Sequence, residues 1–418
     1  MRTASLLSSG NLAGAPPDQD THLSTGRKTA QAGQPTILVA SPTGSYAAGV
    51  VASRRVAFLD LSVQDKSERD AILAAIETVL RHGRLILGPE VQDLERRVAA
   101  FCGRRYGIGV GSGTDALILG LKALGIGAGD EVITTPLSWL ATASAILANG
   151  ATPVFADVDE TLNIDPATIE ALVTSRTKAI LPVHFTGRLA RMPEIGEIAK
   201  RHRLLVIEDG SQAFGATLDT KPCGSFGDLA CISLGPMKLL GALGDAGIVL
   251  TDNEHVAKRL LSLRHSGVVD RDRCVEVSHN CRLDTVQAAV LLQRLTRYRA
   301  AIARRQEIAG RYSRELAGIV GTPPVLQGYG DVFYTYTIRT PHRDALRQHL
   351  AGAGIETRIH HPILMTDQPA FQGKVRGQSP KAAMLVGEIF SIPAHEKLGD
   401  DEQGFVIATI IEFFEAIA

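Results

Sequence analysis

The sequence predicts an α/β protein in which a mostly parallel seven-stranded sheet, with helices on both faces, precedes a smaller α+β C-terminal domain. Short apolar strand-like segments alternate with helix-like segments up to about residue 251. Such alternation is typical of parallel sheets covered by helices on both faces. Beyond residue 284 the alternation gives way to a long helical segment followed by hairpin and helix signals. The change of pattern predicts two domains, residues 55–300 and 301–418.

The elements of the first domain follow from apolar periodicity and from turn residues at their ends. Strands are predicted at Tyr106–Val110, Glu131–Thr135, Thr152–Val158, Lys178–Phe185, Leu204–Glu208, Leu229–Leu234 and Gly247–Thr251. Helices are predicted at Lys66–His82, Asp115–Leu124, Trp139–Asn149, Pro166–Thr174 and Pro193–His202. The second domain is predicted from Asp284–Leu316, Phe333–Arg339, Arg343–Ala353, Ile355–Ile359 and Asp401–Ala416. Residues 1–54 are rich in Gly, Ala, Pro, Ser and Thr without periodicity, so we expect a mostly disordered extension there.

Composition excludes several classes of function. The 44 Lys and Arg residues balance 44 Asp and Glu residues without a dense basic block, so nucleic acid is not an expected partner. The most apolar stretches, Ala141–Ala148 and Phe405–Phe414, are much shorter than the roughly 20 residues that cross a bilayer. The five cysteines are odd in number and lack CxxC spacing, which indicates reduced thiols rather than disulfides or a zinc site. We therefore expect a cytoplasmic protein that contains no metal and does not enter membranes.

Polar residues follow several of the predicted strands. Ligands of open parallel sheets bind beyond the carboxyl ends of the strands. Gly111–Asp115 follows the first strand and opens a helix, an arrangement that binds phosphate through free backbone N–H groups. The glycines around it resemble a dinucleotide fingerprint, but the next strand ends in Thr134-Thr135-Pro136, without an acidic residue to hold a ribose.

Two charged residues and an aromatic residue are predicted at the same edge. Asp209 follows a strand, where an acid could bind a metal, cap a helix or pair with a cationic ring nitrogen. Lys238 follows the strand that carries Ser233, and Trp139 opens a helix. A phosphate site, an acid, a lysine and an aromatic face together meet the requirements of pyridoxal phosphate. In that interpretation the acid keeps the pyridine protonated and the lysine forms the Schiff base.

From about Val56 to the C-terminus, the chain resembles the DegT/DnrJ family of sugar aminotransferases, which are fold-type I pyridoxal phosphate enzymes. Seven segments carry the resemblance in the family's order and spacing: Ser112–Leu117, Pro136–Trp139, Pro153–Asp159, Lys178–His184, Glu208–Ala213, Gly224–Asp228 and Asn280–Asp284.

The resemblance implies a role for each matching residue. Lys238 and Asp209 take the catalytic roles given above, and Trp139 stacks on the cofactor ring. Gly113, Thr114 and Ser233 are implied to hold the phosphate, with Gln212 near the ring hydroxyl. Asn280 is implied to reach the phosphate of the neighbouring subunit, which predicts a homodimer with shared active sites. On the substrate side, His360 is implied to face the sugar, whereas His184 either lines the site or is structural.

The implied activity is a transamination from glutamate or glutamine to a keto sugar, nucleotide-linked in this family, in amino-sugar biosynthesis. A cyclitol aminotransferase and a pyridoxal phosphate-dependent sugar dehydratase remain alternatives. Dehydratases of the family carry histidine in place of the lysine, so Lys238 argues against that branch. A non-catalytic protein that uses the cofactor pocket for sensing is a third alternative, disfavoured by the intact Lys238, Asp209 and Asn280.

Overall fold

The computed structural model describes residues 55–418 and confirms the α/β class, with strands and helices alternating through the first part of the chain. The extension predicted for residues 1–54 lies outside the described residues. The strands are β1 (Tyr106–Val110), β2 (Glu131–Thr134), β3 (Thr152–Phe155), β4 (Thr177–Leu181), β5 (Leu205–Asp209), β6 (Thr217–Leu218), β7 (Lys221–Pro222), β8 (Leu229–Ser233), β9 (Gly247–Thr251), β10 (Val268–Val269), β11 (Arg273–Cys274), β12 (Tyr329–Gly330), β13 (Tyr336–Arg339) and β14 (Ile389–Ile392). The helices are α1 (Lys66–His82), α2 (Pro89–Phe101), α3 (Gly113–Ala123), α4 (Ala141–Ala148), α5 (Met192–His202), α6 (Glu254–Leu263), α7 (Thr285–Leu295), α8 (Tyr298–Glu315), α9 (Arg343–Gly352), α10 (Pro380–Val386) and α11 (Asp400–Ile417).

Seven strands form the main sheet in the order β1-β9-β8-β5-β4-β2-β3. All neighbouring pairs are parallel except those of β9, which runs antiparallel to both β8 and β1. The carboxyl ends of the other six strands therefore meet at one edge of the sheet, together with the first residue of β9.

Both faces of this sheet are buried, as the apolar strands predict. Ile232 and Ile248 face a core that includes residues of α2 and α7. Their neighbours Cys231 and Val249 face the opposite core, which includes residues of α3 and α6. Side chains of adjacent strand residues point to opposite faces, so an uninterrupted apolar strand serves both layers of helices.

Three elements have a different form in the structure from the one that the sequence predicted. Residues Pro166–Thr174, predicted as one helix, form two 3₁₀ turns, because the β-branched residues in this segment disfavour a regular helix. The segment Asp284–Leu316 is divided into α7 and α8. At the break, the hydroxyl of Thr296 donates to the carbonyl of Gln293 at 2.6 Å, a local bond that competes with helix continuation. Ile355–Ile359 forms only single bridges, to Val56 and Ser391, rather than a strand.

The C-terminal part has a core of its own around the antiparallel pair β13 and β14. Tyr312 of α8, Tyr336 of β13 and Phe390 of β14 are among its fully buried side chains. Val56, near the start of the described chain, also belongs to this core and forms a parallel bridge with Ile355. The start of the described chain, at Val56, is thus packed against the C-terminal part of the protein.

The segment 363–379, here called the strap, connects the C-terminal part back to the main sheet. It pairs with β3, the edge strand: the Arg376 N–H donates to the Pro153 carbonyl at 3.0 Å, and the Phe155 N–H donates to the Arg376 carbonyl at 2.7 Å. Phe371 of the strap packs against buried Phe155. The strap therefore covers the edge strand β3 with both backbone pairing and apolar contact.

Among the described helices, none combines the length and the apolar character needed to span a bilayer.

Candidate active site

The candidate site lies at the edge of the main sheet where the parallel strands end. Val110 of β1 and Ser233 of β8 are both paired with Gly247, the first residue of β9. Asp209, the last residue of β5, is paired with Cys231 of β8. The last residues of β1, β5 and β8 and the first residue of β9 therefore lie at one edge of the sheet, where the sequence predicted the ends of the first three of these strands.

A tightly packed helix start forms one side of the site. The Ser112 side chain caps α3 by accepting the Asp115 N–H at 3.0 Å. The N–H groups of Gly113 and Thr114 donate to no acceptor within residues 55–418. They are two of the N–H groups that a helix start leaves free, and they carry the positive end of the helix dipole.

Two glycines allow this helix start to approach the strand ends. A Cβ atom on Gly113 would lie 2.5 Å from Cβ of Ser233, and one on Gly247 would lie 2.3 Å from the Ser112 carbonyl oxygen. Neither distance is compatible with a side chain. We call Ser112, Gly113, Thr114, Ser233 and Gly247 the glycine cradle. Free N–H groups close to a serine hydroxyl are the donors that a phosphate requires.

Asp209 is buried behind the cradle without an ion-pair partner. Its side chain accepts the Thr142 hydroxyl at 3.0 Å and the Ser211 N–H at 3.2 Å. It is 4% exposed, and the ion pairs found in the described part of the chain do not include it. A buried carboxyl group that meets only neutral donors has no counter-charge inside the protein, and a cationic ligand could supply one. Gln212, also buried, accepts the Thr186 N–H at 3.0 Å.

Lys238 follows β8, as predicted. Its Nζ lies 4.8 Å from the centroid of the Tyr334 ring, and it forms no ion pair within the described chain. Its amino group is therefore held by an aromatic face rather than by a carboxylate, which leaves it available for chemistry. Tyr334 was not found from the sequence because it comes from a loop almost 100 residues further along the chain.

His360 and His361 line the C-terminal side of the site. Burial lowers the pKa of each imidazole to about 4, and the charge of Lys238 contributes to both shifts. Both rings are therefore neutral at neutral pH. The His360 ring contacts Phe58 with centroids 5.6 Å apart, and its Nε2 atom is buried without a hydrogen-bond partner among the described residues. That free nitrogen is compatible with the predicted contact to substrate.

His184 occupies a different position from the other predicted residues. It is fully buried, its Nδ1 accepts the Ala190 N–H at 3.1 Å, and its Nε2 lies 3.0 Å from Oε2 of Glu208. Since Nδ1 is an acceptor, the proton is on Nε2 and is donated to Glu208. With both ring nitrogens used inside the protein, the predicted substrate contact is not supported, and we assign His184 a structural role.

Glu208, which the sequence did not single out, accepts the hydrogen bond from His184. It also accepts the backbone N–H groups of Gly224, Phe226 and Gly227 at 2.7–2.9 Å. Burial opposes its ionisation, but these bonds and the His184 imidazole hold the pKa of this carboxyl below its usual value. The Glu208 carboxylate therefore fixes the end of β5, next to Asp209.

Trp139 and Asn280 are exposed on the single chain. Trp139 is 61% exposed and lies two residues before α4. Asn280 lies in an extended segment that bridges His265, and its Oδ1 accepts the Ser266 hydroxyl at 3.0 Å. The roles implied for them, on the cofactor ring and in the neighbouring subunit, remain predictions.

A model of the DegT/DnrJ/EryC1/StrS aminotransferase family matches residues 66–411. The chain belongs to this family. It is 39% identical over 345 residues to the Pseudomonas aeruginosa UDP-2-acetamido-2-deoxy-3-oxo-D-glucuronate aminotransferase, which covers 82% of this chain and 96% of that protein. It is 40% identical over 370 residues to a Geobacillus stearothermophilus pleiotropic regulatory protein, covering 87% of this chain and all of that one. The crystal structure of Streptomyces venezuelae DesV in complex with a ketimine intermediate superposes with a TM-score of 0.84 at 38% identity, covering 86% of this chain and 99% of that chain.

These matches confirm the predicted family and fold, and with them a pyridoxal phosphate-dependent aminotransferase. The residues present fit that cofactor. The glycine cradle would offer donors to its phosphate, buried Asp209 would offer a carboxyl group without an ion-pair partner to its ring nitrogen, and Lys238 would offer an amine to its aldehyde. The candidate site thus lies at the ends of β1, β5 and β8, which the sequence analysis had selected, and at the start of β9, which it had not.

Proposed function

We propose that this aminotransferase transfers the amino group of glutamate or glutamine to a keto sugar carried on a nucleotide, as a step of amino-sugar biosynthesis. The observation that carries the proposal is the meeting of Lys238, Asp209 and the glycine cradle at one sheet edge. The similarity to the P. aeruginosa UDP-sugar aminotransferase supports the substrate class.

Bound pyridoxal phosphate would supply an electrophilic carbon and a ring that accepts electrons. Asp209 would keep the ring nitrogen protonated, because a buried carboxylate without another cation favours the charged partner. The hydroxyl of Thr142 and the N–H of Ser211 orient this carboxylate. Lys238 would first hold the cofactor and then, once released, move the proton on and off the reacting carbon at Nζ.

The reaction would proceed in two stages at one site. The amino-acid donor leaves as a keto acid before the keto sugar enters, which predicts ping-pong kinetics. The neutral His360 can donate or accept a hydrogen bond with a sugar hydroxyl without placing a second charge beside Lys238.

The C-terminal side of the site, which carries His360, also has an exposed cation. Arg358 stacks on Phe58 with its Cζ 5.6 Å from the ring centroid and forms no ion pair in the described chain. In this extended segment Arg358 and His360 are two residues apart and share a face. A free guanidinium outside the sugar site would suit the diphosphate of a nucleotide sugar.

We also propose that the protein acts as a cytoplasmic homodimer with shared active sites, in which Asn280 reaches the phosphate of the other subunit. Apolar side chains that border the site are exposed on the single chain, including Trp139, Leu140, Met237 and Leu243. Exposed large apolar side chains near a site are typical of a surface that a partner covers. All five cysteines are free thiols, which supports a reducing compartment.

The test is a panel of keto substrates with purified protein and either glutamate or glutamine. We expect an amine product, identified by mass, from a UDP- or dTDP-linked keto sugar, and none with the Lys238→Ala variant. Amination of only a free keto-cyclitol, or dehydration without nitrogen transfer, would instead support an alternative activity. Absence of turnover with every substrate would favour a regulatory role, as the name of the G. stearothermophilus relative suggests for that protein.

A further inference from the structure

Three potential metal ligands meet beside the glycine cradle. Asp115 lies in the first turn of α3, and His279 and Cys281 flank Asn280 in the extended segment. His279 Nε2 lies 3.2 Å from Asp115 Oδ1, and one ligand atom of each residue lies within 4.8 Å of the others. The sequence did not indicate this cluster, because Asp115 is 164 residues from His279 and there is no CxxC spacing.

The local backbone places His279 and Cys281 on one side of the segment. Asn280 is bridged antiparallel to His265, and Arg282 is bridged antiparallel to Val110, so the segment is extended. In an extended chain, residues two apart point to the same face and the residue between them points to the other. The Asn280 side chain accordingly bonds Ser266, whereas His279 bonds Asp115.

The cluster has a buried sulfur and open oxygen and nitrogen ligands. Cys281 is 4% exposed and borders an apolar core, and its Sγ has long hydrogen bonds to the carbonyls of His279 at 3.6 Å and Arg264 at 3.8 Å. The His279 side chain is 53% exposed and that of Asp115 is 22% exposed. On the single chain, the side of the cluster that faces solvent is therefore formed by His279 and Asp115, with the sulfur behind them.

Imidazole, carboxylate and thiolate are the ligands that Zn²⁺ prefers, in a tetrahedral arrangement. With bonds of about 2.0–2.1 Å to nitrogen and oxygen, two tetrahedral ligands lie roughly 3.3 Å apart, close to the 3.2 Å between His279 Nε2 and Asp115 Oδ1. We propose that Asp115, His279 and Cys281 bind one Zn²⁺ ion per chain, with water as the fourth ligand. On binding, the Cys281 S–H bond breaks, its proton passes to solvent, and a Zn–S bond forms without any redox change.

The bound ion would join the start of α3 to the segment that carries Asn280. Asp115 belongs to the helix whose first N–H groups form the glycine cradle, and its Oδ2 also accepts the Ser112 hydroxyl at 2.9 Å. His279 and Cys281 flank Asn280. Zinc would therefore fix the segment that carries Asn280 to the first turn of α3.

The test is Zn²⁺ binding to the chelator-treated holoenzyme, measured by calorimetry and by metal analysis after dialysis. We expect one ion per chain at micromolar zinc, and at least a tenfold weaker affinity in His279→Gln and Cys281→Ser. The matched controls are His255→Gln and Cys274→Ser, which remove an exposed histidine and the exposed cysteine from other parts of the chain and should bind as wild type does. Co²⁺ in place of Zn²⁺ should give the visible bands of a tetrahedral complex, at wavelengths longer than those of the cofactor.

Two results would overturn the proposal. One is a wild-type protein that emerges from dialysis against micromolar zinc without metal. The other is stoichiometric zinc that His279→Gln retains with unchanged affinity, because that places the ion elsewhere. His279 is exposed, so this variant should fold even if Cys281→Ser does not. Neither result depends on which substrate the enzyme uses.

Discussion

Adding one methyl group to the glycine cradle should weaken cofactor binding. The Cβ atom of Gly113→Ala would lie 2.5 Å from Cβ, 2.9 Å from Oγ and 3.1 Å from Cα of Ser233. These atoms belong to or adjoin the backbone of a strand end, so the start of α3 must move away from β8. Forced overpacking of this kind costs about 1–3 kcal/mol of folding free energy.

The same displacement would carry the Gly113 and Thr114 N–H groups away from a phosphate held at Ser233. Losing one hydrogen bond to a charged group costs about 1.5–3 kcal/mol, so the dissociation constant of pyridoxal phosphate should rise roughly 10- to 150-fold. The assay is a calorimetric titration of the cofactor-free protein with pyridoxal phosphate, which gives the dissociation constant. The melting temperature of the same protein is measured separately.

Gly196→Ala is the matched control. Gly196 lies exposed inside α5, and a Cβ there would meet no atom within 4 Å. Replacing a glycine inside an exposed helix with alanine stabilises it by about 0.5–1 kcal/mol. We expect this variant to melt slightly higher than wild type and to bind the cofactor equally well. If Gly113→Ala melts like wild type and binds the cofactor within about threefold of it, the close approach of α3 to Ser233 does not form the phosphate site.

Other predictions follow from the proposed roles. Lys238→Ala should lose turnover but still bind the cofactor through its phosphate, and measurable turnover by this variant in the amine assay would remove Lys238 from the chemistry. Asp209→Asn should fold and bind some cofactor but reduce kcat on the order of a thousandfold; a kcat within about threefold of wild type would leave Asp209 with a structural role. Mixing Lys238→Ala with Asn280→Ala should restore roughly a quarter of wild-type activity, because about half of the dimers are mixed and each mixed dimer has one intact site. No gain over the parents, with subunit exchange shown separately, would place Asn280 outside the neighbouring site. A chain that starts at Arg55 should retain the melting temperature and activity of the full-length protein, since residues 1–54 lack apolar periodicity; a clear loss of either would give that segment a structural role.

The sequence predicted the main sheet because its strands are short, apolar and separated by turn residues. It placed Asp209 and Lys238 at the correct edge for the same reason, since a residue's position after a strand determines the edge at which it lies. It could not place β9 antiparallel to its neighbours, because strand direction depends on how the chain returns between strands. The helix predicted at Pro166–Thr174 was wrong because its apolar spacing outweighed the β-branched residues that disfavour a helix.

The interior of the site was harder to predict than its edge. His184 lies three residues beyond β4, near the same edge as Asp209 at the end of β5, yet its ring is directed to buried Glu208. Glu208 is fixed by three N–H groups from residues 224–227, which are close in space but lie beyond the next turn of the chain. Phe58 and Tyr334 come from distant segments and carry no local pattern. Contacts made by tertiary folding therefore decided that both His184 ring nitrogens are bonded inside the protein whereas, within the described chain, His360 keeps a free nitrogen.

The strap affects how safely the main sheet can fold before the whole chain has been made. An uncovered edge strand offers unpaired N–H and C=O groups to other molecules and promotes aggregation. In this protein the backbone of Arg376 occupies those groups on β3, and Gly377, with φ +99°, passes so close to Phe155 that a Cβ would lie 2.2 Å from its carbonyl oxygen. The protection of the main sheet is thus encoded more than 200 residues after the strand that needs it. A ribosome-bound chain that lacks residues 363–418 would expose β3, so a fragment ending before the strap should accumulate in aggregates even though every strand of the main sheet is present.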